Sequence, residues 1–117
     1  MDPNNQSYRN LQLANCALVR FPSIEKITPA LISSLDLSYN HFYSFPGKIF
    51  QSFTNLKRFK GNNNLVKSLP EEILACKRLM RVEVDNNHVD LVYCRVYQIL
   101  KGAGVILVSP NLFNILV

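Results

Sequence analysis

The chain has 117 residues, with 48% apolar and 18% charged side chains, which is one domain's worth and a balance that argues against disorder. Its net charge of +5 admits an acidic partner without requiring one. No run approaches the ~18 uninterrupted apolar residues of a membrane helix, and three cysteines are too few for a disulfide scaffold.

Residues 1–7 (Met1-Asp2-Pro3-Asn4-Asn5-Gln6-Ser7) are polar, with neither a basic start nor an apolar run. They read as a tail and not as a secretory signal, and the expected compartment is the reducing cytoplasm or nucleus. Asn5-Gln6-Ser7 fits a glycosylation acceptor, which without such a signal is taken as chance.

From Tyr8 onward the pattern repeats. The first unit starts at Tyr8, with apolar Leu11, Leu13, Leu18 and Phe21 before Pro22. The second starts at Ile32, with Leu35, Leu37, Phe42 and Phe45 before Pro46. The third starts at Leu56, with Phe59, Val66 and Leu69 before Pro70, and Gly61 as the one gap. The fourth starts at Leu79, with Val82, Val84, Val89 and Val92. The starts are 24, 24 and 23 residues apart, and the ninth position holds Cys16, Asn40, Asn64 and Asn87 in turn.

Each unit opens with an apolar–x–apolar pair, the alternation of a short strand with one side inward. A unit this short cannot bury its apolar side alone, so units must stack. Asn in the ninth slot can donate and accept, and would bond the backbone of adjacent coils as a ladder; Cys16 would fill the same slot as a small buried side chain. Between strands the chain must return. Residues 68–78 read as a short helix with Glu71 and Glu72 in its first turn and basic residues in its last. Residues 45–53 are aromatic and less regular, and read as 3₁₀ or irregular. Asp90 would cap a longer helix over 91–101, stopped by Gly102. A fifth strand is expected within 105–108. A unit starting at Ala103 puts Asn111 in the ninth slot, Phe113 in the eleventh and Leu116 in the fourteenth; a start at Gly102 would put Pro110 in the ninth, and the first is preferred.

Carried by these residues, the chain resembles a leucine-rich-repeat protein, whose unit reads L-x-x-L-x-L-x-x-N/C-x-L over 20–29 residues. Units of this length with Phe-Pro or Leu-Pro near the middle resemble the family's typical class. The expected fold is α/β: a short right-handed leucine-rich-repeat solenoid of about five coils, with a parallel sheet on the concave face and short helices or irregular returns on the convex face. It is expected to form one domain over 8–117, with units at about 8–31, 32–55, 56–78, 79–102 and 103–117. The resemblance implies a binding surface on the concave face.

No catalytic signature is found: no Gly-x-Ser-x-Gly elbow, no phosphate loop and no His-Glu-x-x-His. His41 and His88 share a slot but lie two coils apart, ~10 Å at the spacing of strands, too far for one zinc ion. Cys76 and Cys94 read as core. The expectation is therefore no enzyme, no metal and no cofactor.

The outward strand positions are more informative. They carry Arg9, then Asp36 and Tyr39, then Lys57, Arg58 and Lys60, then Arg81, Glu83 and Asp85. Here the basic residues would meet acidic groups of a protein partner, the carboxylates would set orientation, and Tyr39 would be an aromatic anchor. Five strands span ~19 Å, the width of one helix, one loop or an extended peptide. The leading reading is a non-enzymatic interaction module or adaptor. Residues 48–81 hold eight basic and two acidic residues, so RNA or DNA binding is the alternative. A second alternative is a fragment of a larger leucine-rich-repeat receptor, suggested by residues 50–56. The apolar residues 105–108 and 112–117 point to self-association or a larger complex at the C-terminal edge.

Overall fold

The computed structural model describes residues 9–23, 25–89 and 94–108. They form an α/β fold built on one five-stranded sheet, every neighbouring pair parallel and the strands in chain order. The strands are β1 (Asn10–Gln12), β2 (Ser34–Asp36), β3 (Arg58–Lys60), β4 (Arg81–Glu83) and β5 (Ile106–Val108). Between them run a 3₁₀ turn, Pro29–Leu31; helix α1, Gly47–Ser52; a 3₁₀ helix, Glu71–Ala75; and helix α2, Arg95–Gly102.

The register follows the apolar spacing. Leu11 pairs with Leu35, Leu35 with Phe59, Phe59 with Val82, and Val82 with Leu107. These central residues turn to the side covered by the helices, while both neighbours of each turn to the other side, as a pleat of period two requires. The core lies between the sheet and the returns. Leu35, Leu37, Phe59, Val82 and Val84 come from or just after the strands, and Phe42, Phe45, Val66, Leu69 and Val89 from the loops beyond. Ile49, Phe50, Phe53, Ile73, Val96, Tyr97 and Leu100 come from the returning segments. Gly61, the gap in the apolar pattern, is filled by an aromatic ring. A Cβ at Gly61 would lie 2.4 Å from Cζ of Phe45, and that ring packs edge-on against Phe59 at 4.9 Å. The glycine makes room for an aromatic stack, Phe42–Phe45–Phe59–Phe50, with successive centroids 4.9–5.7 Å apart.

The asparagine column is built as its spacing suggests. Asn40, Asn64 and Asn87 are 4, 5 and 8% exposed. Each amide nitrogen donates both to carbonyls of its own loop and to one of the preceding unit: Asn40 to Leu13, Asn64 to Leu37, Asn87 to Gly61. Each amide oxygen accepts from backbone of the preceding unit: Asn40 from Cys16 and Leu18, Asn64 from Phe42, Asn87 from Val66. One side chain thus satisfies several buried backbone groups that no sheet ladder reaches.

Several expectations are corrected. Cys16 is exposed, not a buried member of the column; its thiol donates only to the carbonyl of Ala14, in a unit that, among the described residues, has a neighbour on one side alone. Within residues 45–53, Gly47–Ser52 form a regular helix, α1, because Pro46 sets an extended entry and Ile49 and Phe50 bury one side, with Phe53 buried just beyond its end. The return at 68–78 is 3₁₀ over Glu71–Ala75, so Lys77 and Arg78 lie beyond it. Helix α2 begins at Arg95, where the Sγ of Cys94 caps it by accepting from the Tyr97 N–H, and Gly102 is its last residue and not its stop. The glycine with positive φ is Gly104, at 85°, which turns the chain into β5. That turn shifts β5 by one residue from the expected unit start at Ala103. Leu107 faces the core, and Ile106 faces out, 55% exposed. Asn111, named for the fifth slot of the column, lies outside the described residues, as do Asp90, 91–93 and 109–117. No helix among the described residues is long and apolar enough to cross a membrane.

Candidate functional site

The sheet side away from the helices, called here the outer face, carries every strand residue proposed for binding. Across β3, β4 and β5 the register sets Arg58 beside Arg81 and Arg81 beside Ile106; the next outward row is Lys60, Glu83 and Val108. Just ahead of β4, the N–H of Met80 donates to the Lys57 carbonyl, and the Met80 carbonyl accepts the Ile106 N–H, so the Met80 backbone links the neighbouring strands. Arg58, Lys60, Met80, Arg81, Glu83 and Ile106 line one shallow basin of about 440 Å³.

The charges in the basin are unequal in their freedom. Arg81 Nε donates to Glu83 Oε2 at 3.0 Å, with the two side chains 42 and 16% exposed, and Asn62 donates to the other carboxylate oxygen. Burial alone would raise the Glu83 pKa. The hydrogen bonds from Arg81 and Asn62, with the nearby charges of Lys60 and Arg81, outweigh it and hold the carboxyl below its ordinary value. Arg81 and Glu83 therefore neutralise each other. Lys57 and Arg58 are exposed and Lys60 half-buried, and no ion pair among the described residues holds any of them. The net positive charge of the face sits on β3. Its exposed apolar side chains are Met80, just ahead of β4 and 57% exposed, and Ile106 on β5, 55% exposed.

The remaining proposed residues lie elsewhere. Arg9 is exposed just ahead of β1, two strands from Arg58, and its carbonyl accepts from the N–H groups of Ser33 and Ser34. Asp36 is half-buried on β2 and its carboxylate accepts the Ser38 N–H, so it shapes its own loop. Ser38, just after β2, is 5% exposed and its hydroxyl accepts the Asn62 N–H. Asn62 Oδ1 in turn accepts the Asp85 N–H. Asp85 ends this second polar column: its Oδ1 is buried with no partner among the described residues, and burial followed by the Glu83 charge pushes its pKa up.

Tyr39 is 61% exposed but separate from the basic cluster. It stands on the loop rim beyond the strands, in an open cavity of about 690 Å³ with Asn15, Cys16, His41 and Asn63. It occupies the left-handed region at φ 57°, as Asn15, Asn63 and Asn86 do in the same slot of their units. Asparagine tolerates that conformation, and a bulky aromatic residue does not.

Of the proposed residues, the structure brings Arg58, Lys60, Arg81 and Glu83 into one basin with Lys57 at its margin, and leaves Arg9, Asp36, Tyr39 and Asp85 outside it. Met80 and Ile106 were not singled out. Met80 was legible as an outward position, whereas Ile106 was hidden by the one-residue shift of β5. The other basic residues of 48–81 are scattered: Lys48 on α1, Lys67 in a loop, and Lys77 and Arg78 beyond the 3₁₀ helix. Among the described residues no group of three or more His, Cys, Asp or Glu could hold a metal ion. No protein-family model matches the chain.

Proposed function

We propose that the chain is a short right-handed leucine-rich-repeat solenoid and a non-enzymatic interaction module. Its outer sheet face, the concave side of such a coil, captures a segment of a partner protein. The coil is supported by parallel pairing at steps of 24, 24, 23 and 25 residues and by the asparagine column that ties each unit to the one before. The single observation that carries the binding reading is the Lys57–Arg58–Lys60 cluster, held in no ion pair among the described residues, beside exposed Met80 and Ile106. Neighbouring apolar side chains bordered by cations have the make-up of a docking patch. The module would work in the cytoplasm or nucleus, where exposed Cys16 stays a thiol.

The test is affinity purification from nuclease-treated extract with the wild-type chain and with Lys57→Glu/Arg58→Glu as paired baits. Both positions are exposed, so thermal unfolding should match while a protein retained by the wild type is lost from the variant. Equal retention by both baits overturns the reading. Retention of nucleic acid alone from untreated extract, released steeply by salt, would favour the nucleic-acid alternative.

A further inference from the structure

The arrangement of charge and apolar surface across the outer face narrows the kind of segment that fits it, and this step rests on the interaction reading above. From β3 to β5 the face passes from cations in no ion pair among the described residues (Lys57, Arg58, Lys60), through the pair Arg81–Glu83 with Met80 just ahead of it, to apolar Ile106. Adjacent strands lie ~4.8 Å apart, so the β3 cations and Ile106 are two steps, ~9.6 Å, apart, with Met80 between them at the level of β4.

An occupant must present an acidic and an apolar side chain on one side at that separation. An extended peptide crossing the strands puts same-side residues at multiples of ~6.7 Å, giving ~6.7 or ~13.4 Å, and misses by about 3 Å or about 4 Å. An α-helix rises ~1.5 Å per residue, so residues i, i+3 and i+7 of one face fall at 0, ~4.5 and ~10.5 Å, within about 1 Å of the three strands.

We propose that the outer face binds an acidic amphipathic α-helix of a partner protein lying across the strands, with an acidic residue over β3 and an apolar residue seven positions away over Ile106 on β5. The middle contact, over the closed Arg81–Glu83 pair, takes a small or uncharged polar residue, because a charge there would compete with an existing ion pair. Affinity then combines attraction at the β3 end with burial of apolar surface at the β5 end.

The probe is a fluorescein-labelled helical peptide of about five turns, with Ala and Gln as background and two Glu–Leu pairs spaced seven residues apart on one face. The control has the same composition, with each Glu and Leu nine apart and so on opposite faces. Anisotropy titration should find the first peptide at least tenfold tighter than the control. Binding should weaken at least fivefold on Arg58→Glu and, independently, on Ile106→Ser, with unfolding midpoints unchanged. Equal affinity for the two peptides, no binding of the first, or indifference to Ile106→Ser overturns the proposal. A retained partner that is lost with Lys57→Glu/Arg58→Glu but indifferent to Ile106→Ser overturns the helix alone and leaves the interaction reading standing. Loss with neither variant removes both.

Discussion

At the residue scale, two side chains sit where the local chemistry does not suit them. Tyr39 holds a left-handed conformation that costs an ordinary L-residue ~1–2 kcal/mol and asparagine less. Its ring is exposed, so replacement loses little packing. Tyr39→Asn, which matches the residue in three of the four aligned units, should raise the unfolding free energy by about 1 kcal/mol in urea titration. Asp85 keeps a buried carboxylate oxygen with no partner among the described residues, beside Glu83. Because its pKa is raised in the folded chain, its share of stability is full at low pH and is lost as the pH climbs through that raised value. Asp85→Asn removes the charge and matches Asn62 one unit earlier. The variant should therefore unfold at a higher temperature than wild type at pH 7, with the gap closing as the pH falls below the ordinary aspartate value of 3.8. A gap that widens on acidification would contradict this account of Asp85.

At the element scale, stability rests on a few side chains that serve two units at once. Asn64 takes the Phe42 N–H and gives to Leu37 and Gly61 carbonyls, so its loss orphans buried groups on both sides. Asn64→Ala should cost at least about 2 kcal/mol, more than an exposed polar truncation, by denaturant unfolding. Much of this level was legible in the sequence. Leu35, Phe59 and Val82 were placed inward by a period-two pattern alone, and Asn40, Asn64 and Asn87 by a shared slot. Three features were not. The helix at Gly47–Ser52 was obscured by aromatic residues that read as irregular until their burial is seen. The cap of α2 comes from Cys94, a side chain that seldom signals a helix start. The β5 register turns on Gly104, whose positive φ inserts one residue that no periodicity of apolar side chains can report.

At the scale of the whole molecule, the sheet separates two unlike surfaces. One side is covered by α1, the 3₁₀ helix and α2, with α1 packed along the 3₁₀ helix and Arg95 of α2 paired to Glu71. The other side is open and grades from cationic to apolar. The basic cluster was legible as residue types on adjacent strands. Its apolar border was not, because Ile106 changes faces with the register. Lysines lie on both sides of this division, which supplies an internal control: Lys57 and Lys60 on the outer side, Lys48 on α1 and Lys77 beyond the 3₁₀ helix. The most direct measurement is lysine acetylation footprinting of the chain, free and saturated with a partner protein recovered by the paired baits. The account predicts severalfold slower modification of Lys57 and Lys60 with no change at Lys48 and Lys77. Protection of Lys48 and Lys77 with Lys57 and Lys60 unchanged would contradict it.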